Sequence, residues 1–192
     1  KNAAWLRYRQ QLQSTREAFH EASAQLTALA DIHTCQKQFT DEVAHLIRTM
    51  LLDINKLLGT PPRAFVIATM GSMSRGDMSY YSDFEPLILC HALDNAMRDY
   101  LKDWRTLVEL YFIALGESDD ERPGLHFDAP LLKGDAPPFI NTPDGLIDCL
   151  FEEEDFTNFT PFSAIHATFL LGVSAPTQGP SPETIWQSYQ DN

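Results

Sequence analysis

Basic residues are scarce in this chain: Lys and Arg total 14 against 27 Asp and Glu over 192 residues, for a net charge of −13. A protein that grips a nucleic-acid backbone carries a basic face. No Lys/Arg cluster of that kind occurs, which counts against DNA or tRNA as the acceptor of any chemistry. Cysteine is scarcer still. Cys35, Cys90 and Cys149 are odd in number and lack Cys-x-x-Cys spacing, so a disulfide framework and a zinc site are set aside. Reduced, partly buried thiols in a cytoplasmic setting are expected instead. No apolar run approaches the ~20 residues of a membrane-spanning helix, and no signal peptide is visible. The chain opens at Lys1 without Met, which reads as an excised fragment or processed domain, with any signal outside it. Walker loops, His-Glu-x-x-His, Gly-x-Ser-x-Gly, internal repeats and low-complexity tracts are all missing.

What is present is an ordinary globular composition, 44% hydrophobic, in a chain long enough to bury roughly 70% of its unfolded surface. Residues 3 to about 33 predict a long helix, because Trp5, Leu12, Phe19 and Leu26 recur every seven positions, with Tyr8, Ala22 and Leu29 adjoining. That stripe is expected to pack on the next helix, with contact to a partner protein as the alternative. Thr40 has the chemistry of an N-cap, with Asp41 and Glu42 in the following turn. Val43, Leu46, Ile47, Met50, Leu51, Ile54, Leu57 and Leu58 then predict a second helix, stopped by Gly59 and Pro61-Pro62. The two helices are expected to form an antiparallel hairpin over residues 1–59.

The central stretch runs from Ala64 to Cys90. An apolar strand reaches Gly71-Ser72, and twelve residues after Gly71 come Asp83-Phe84-Glu85, followed directly by the apolar run Pro86–Cys90. This predicts strand, tight Gly-Ser turn, polar connection, and a second strand that starts with two carboxylates. Alternation along a strand points Asp83 and Glu85 one way and Phe84 the other. Two carboxylates side by side at about 4 Å cost roughly 1–4 kcal/mol. A divalent cation between them removes that cost, and Mg²⁺ is the usual choice where phosphate oxygens supply further ligands. Gly71 allows close backbone approach to phosphates, and Ser72 adds a hydroxyl and an N–H.

The pattern Gly-Ser, spacer, Ser82-Asp83-Phe84-Glu85 closely resembles the signature of the nucleotidyltransferase superfamily that includes DNA polymerase β. The Ser-Asp-apolar-Glu form is similar to the branch containing glutamine synthetase adenylyltransferase, PII uridylyltransferase and bacterial effectors that adenylylate host proteins. The resemblance implies an α+β fold, α/β-like in part: a small mixed sheet packed by helices over residues 60–135, with the helical hairpin before it and a helical segment over 136–192. It implies transfer of a nucleotide, AMP from ATP in the closest branch, onto a hydroxyl with release of pyrophosphate. Mg²⁺ or Mn²⁺ would be held by Asp83, Glu85 and a third carboxylate on a later strand. Asp128, in the alternating segment Gly124–Pro130, is the position matched to that third ligand, with His126 on the same face. Asp148 is a weaker alternative. Gly71 and Ser72 would cradle the phosphates. Arg75 would either meet the triphosphate or pair with Asp77. A protein acceptor suits the acidic charge, and a role as an effector or toxin domain follows by analogy. Two alternatives stay open: a catalytically degenerate module that binds a partner, and a tRNA or small-molecule nucleotidyltransferase.

Pro86 departs from the resembled pattern. It removes a ladder donor from a strand expected to be central, so the site is either distorted or paired there on one side. Arg75-Gly76-Asp77 spells an adhesion tripeptide but belongs more simply to the connecting loop. Asn158-Phe159-Thr160 matches a glycosylation sequon by pattern alone, and Glu152–Asp155 reads as a solvated face. Further helices are expected over 91–116, from Pro143 to about Asn158, over Pro161–Leu171, and from Pro182 with Ser181 as N-cap.

Overall fold

The apolar face read from Val43 to Leu58 is buried as far as Ile54, while Leu58 is half-buried and Leu57 is exposed, and it organises the helical side of the molecule. A computed structural model describes residues 2–116, 140–143, 169–174 and 181–191. Helix α1 spans Asn2–Ser23 and α2 spans Leu29–Leu58. They run antiparallel. Phe19 stacks on Phe39 near the connection, at 4.5 Å between rings, and at the far end the Tyr8 hydroxyl donates to Asp53. That hydrogen bond, more than any other contact, holds the Asp53 carboxyl below the usual carboxylate range.

The break between the helices lies at residues 24–28, not after residue 33 as the heptads suggested. Thr40 is therefore not an N-cap but sits inside α2. Its hydroxyl bonds back to the Gln36 carbonyl at 2.8 Å, the usual way a mid-helix threonine satisfies itself. The same oxygen accepts from the Met78 N–H at 3.2 Å, tying α2 to the loop that carries the acidic pair. The N-cap of α2 is Ala28, which makes no side-chain cap bond. The α1 stripe is occupied by packing in part: Tyr8 and Leu12 are buried and Phe19 lies against the same core, while Trp5 and Ala22 are exposed.

Past Gly59, strand β1 (Phe65–Thr69) pairs antiparallel with β2 (Pro86–Cys90) and, on its other edge, with a strand at Phe169–Ser174. A two-residue strand, β3 (Ile140–Asn141), pairs parallel with β2, so the strand at Phe169–Ser174 is β4 and the order is β3-β2-β1-β4. The sheet is mixed and the fold is α+β. The helix expected over Pro161–Leu171 is corrected from Phe169 onward, where the chain is strand. A short apolar run such as Phe-Leu-Leu-Gly-Val has no periodicity that separates strand from helix. Here the open edge of β1 decides.

Every residue of β1 and β2 is buried, because both faces are covered. Phe65, Ile67, Ile88 and Cys90 join the core of α1, α2 and helix α4 (Asn95–Leu115). Val66, Ala68, Leu87 and Leu89 face Ile185 on a last helix, Pro182–Asp191, with Trp186 and Tyr189 alongside. A one-turn helix, α3 (Gly71–Arg75), follows β1, which makes the last helix α5. Helix α4 begins at Asn95, later than the His91 start expected, because Asp94 caps it. The Asp94 carboxylate accepts from the Met97 N–H at 3.0 Å and pairs with Arg63 at 2.9 Å, and these contacts hold its pKa below the usual range. Helix α5 starts at Pro182, as read. Among the described residues no helix is long and apolar enough to cross a membrane. The segment Gly124–Pro130 with His126 and Asp128, most of the Pro143–Asn158 helix, Asp148 and Cys149 lie outside the described residues.

Candidate functional site

At the end of β1 the chain stays extended through Met70, whose N–H donates to the Glu85 carbonyl at 2.9 Å. That bond carries the β1–β2 ladder one step past Thr69 and brings the Gly-Ser segment alongside the acidic pair. Gly71 then takes φ +58, a left-handed value that disfavours any side chain. The expected tight turn is in fact the helical turn α3. It is anchored by the buried Met73 and closed by Gly76 at φ +76, whose N–H donates to the Ser72 and Met73 carbonyls.

Gly71 is required a second time by its neighbour. A Cβ placed on it would lie 1.6 Å from Glu85 Oε2 and 2.8 Å from Glu85 Cδ. The second carboxylate of the acidic pair rests directly on the glycine.

The alternation expected at Asp83-Phe84-Glu85 holds in exposure. Asp83 is exposed, Phe84 is fully buried, and Glu85 is half-buried. Phe84 stacks on Phe112 of α4 at 5.6 Å with the rings nearly parallel, 11° apart. The strand itself begins later than expected, at Pro86, so both carboxylates lie in the extended segment leading into β2 and not on its first residues. This removes the difficulty raised by Pro86. It is the first residue of β2 and stands opposite Thr69. Because Met70 and Glu85 form the hydrogen-bonded pair next along, Thr69–Pro86 is a non-hydrogen-bonded pair, and a missing N–H costs the β1 ladder nothing. On its other side β2 meets β3 at Ile88 and Leu89, beyond the proline.

Arg75 ends α3 and pairs with Asp77 at 3.0 Å. Both side chains keep substantial exposure, 62% and 36%, so the pair is of the weak surface kind. The loop rests on α2 through Thr40 and through Gln36, whose side-chain amide is 3.5 Å from the Asp77 carbonyl. These supporting residues carry no motif, and spacing alone could not single them out.

Asp83 and Glu85 are an all-oxygen donor pair of the kind that Mg²⁺ or Mn²⁺ takes. Among the described residues no group of three His, Cys, Asp or Glu side chains gathers into a metal site. The third carboxylate that the reading calls for, Asp128, is outside them. Two other features bear on chemistry. The Cys90 thiol is fully buried, and burial pushes its pKa up to about 12, so it is no nucleophile near neutrality. An open groove of about 560 Å³ lies on the hairpin, and its lining residues, among them Gln11, Lys37 and His45, all belong to α1 and α2.

No protein-family model matches the chain, and no curated protein matches it by sequence.

Proposed function

We propose that this protein is a metal-dependent nucleotidyltransferase that moves AMP from ATP onto a hydroxyl of a protein and releases pyrophosphate. One observation carries the reading: the Glu85 carboxylate packs on Gly71 at the end of the β1–β2 pair. The backbone that would meet phosphates and the acidic group that would hold their cation are thereby in contact.

Bound Mg²⁺ or Mn²⁺ would supply charge neutralisation on the triphosphate and a lowered pKa for the acceptor hydroxyl. Asp83 and Glu85 are the residues that would hold it, with Asp128 as the third ligand and the acceptor of the hydroxyl proton. Gly71, lacking a side chain, leaves its backbone open to phosphate oxygens, and Ser72 adds a hydroxyl donor. Arg75 is one exposed ion pair away from a phosphate, and exchanging Asp77 for a triphosphate costs little. What the chain contributes is position and charge, the two terms that dominate phosphoryl-group chemistry. The net charge of −13 favours a protein acceptor over RNA. An effector or toxin role in a reducing cytoplasm is consistent with the free Cys35 and Cys90.

The test is incorporation of label from α-labelled ATP into protein acceptors, with Mg²⁺ present or chelated. Labelling is expected with metal alone, and Asp83→Ala or Glu85→Ala should each lower it by about a hundredfold or more. Parallel incubations with total RNA and with small hydroxyl compounds identify the acceptor class. Equal labelling by wild type and the double variant across all acceptors contradicts the assignment.

A further inference from the structure

Between α3 and the acidic pair, the chain makes a closed turn at Ser79–Ser82. The Ser79 N–H donates to Ser82 Oγ at 2.8 Å, the Ser82 N–H donates to the Ser79 carbonyl at 3.2 Å, and the two hydroxyls lie 3.2 Å apart. Buried anchors flank it. Met78 before it is 1% exposed and held by Thr40, and Phe84 after it is stacked on Phe112. A turn so closed and so anchored has little freedom left to lose on binding a ligand.

Its two central residues are aromatic. Tyr80 is backed by α1, with the Arg16 guanidinium 5.0 Å from its ring centre. Tyr81 meets Tyr80 edge to face, at 4.8 Å and 63°, yet remains 56% exposed. Met78 and Phe84 on either side of the turn point inward, whereas the Tyr81 ring stays largely in solvent with Tyr80 beside it.

We propose that Tyr81 is the stacking platform for the base of the bound nucleoside triphosphate. The inference rests on the nucleotidyl-transfer reading above. Two peptide units, about 7 Å of chain at most, separate the Cα atoms of Tyr81 and Asp83. A nucleotide whose phosphates lie at Gly71 and Asp83 has its base one ribose away, and Tyr81 is the exposed aromatic nearest to Asp83 along the chain. Every base offers a π-face, so the platform contributes affinity with little choice among bases.

The experiment is calorimetric binding to the full chain with Mg²⁺, comparing a non-hydrolysable ATP analogue with inorganic tripolyphosphate, which has no base. Tyr81→Ala is expected to weaken the ATP analogue roughly ten- to hundredfold and leave tripolyphosphate unchanged. Tyr81→Phe keeps the ring and should bind as wild type. Unchanged ATP-analogue affinity in Tyr81→Ala overturns the platform and leaves the transferase reading standing, as does equal weakening of both probes. A wild-type chain that binds neither probe overturns both.

Discussion

A Gly71→Ala protein is expected to remain folded and yet lose nucleotide transfer almost completely. The two consequences separate because they have different causes. At φ +58 an alanine pays the left-handed backbone penalty, about 1–2 kcal/mol, which a domain of ordinary stability survives. The added Cβ also falls 1.6 Å from Glu85 Oε2. That oxygen is the far end of a flexible side chain, so the overlap is relieved by swinging the carboxylate away, at small cost to stability. The displaced carboxylate is the one proposed to hold the metal. Urea unfolding should therefore show a modest loss, while label transfer falls by about a hundredfold or more. Adding Glu85→Ala to Gly71→Ala should change activity little further, since both changes remove the same group. A Gly71→Ala protein that transfers as well as wild type contradicts the packing of Glu85 on this glycine.

The largest loss of stability near the site is expected from Phe84→Ala. Phe84 is fully buried, stacked on Phe112, and belongs to the same core as α1, α2 and α4. Truncation removes a ring that its neighbours cannot replace and should cost about 3–5 kcal/mol by urea denaturation. Phe84→Leu keeps most of the volume and should cost less than about 1.5 kcal/mol. The interest lies in position, because the ring pins the chain between the two carboxylates. Its loss should also weaken Mn²⁺ binding by the variant under conditions where it remains folded. A loss below about 1 kcal/mol for Phe84→Ala would show that this side chain does not hold the segment.

Much of this region was legible in the sequence because several signals coincide there. The runs before Gly71 and after Glu85 are apolar except at Thr69, and the structure explains why: β1 and β2 are buried on both faces. The positive φ of Gly71 and the burial of Phe84 between two more exposed carboxylates follow from glycine permissiveness and from alternation. Even Pro86, which reads as a defect in a central strand, takes a position that tolerates it, first in the strand and opposite a non-hydrogen-bonded partner.

Elsewhere the local signals were silent or misleading. The α1–α2 break at residues 24–28 contains neither glycine nor proline, and its cap, Ala28, makes no cap bond. The heptad pattern therefore ran on past it. Thr40 has the chemistry of a cap but uses it in mid-helix to hold the Met78 amide, a tertiary contact that no local pattern announces. Phe169–Ser174 is strand because β1 offers it an edge some hundred residues earlier in the chain. The aromatic pair Tyr80-Tyr81 carries no motif, and its significance comes from exposure, which only the fold reveals.

The most direct measurement is a crystal structure of the protein soaked with Mg²⁺ and a non-hydrolysable ATP analogue. Metal density is expected on the Asp83 and Glu85 carboxylates, with the phosphates lying over Gly71 and Ser72. An ordered nucleotide bound elsewhere, with no metal at Asp83 and Glu85, would contradict it.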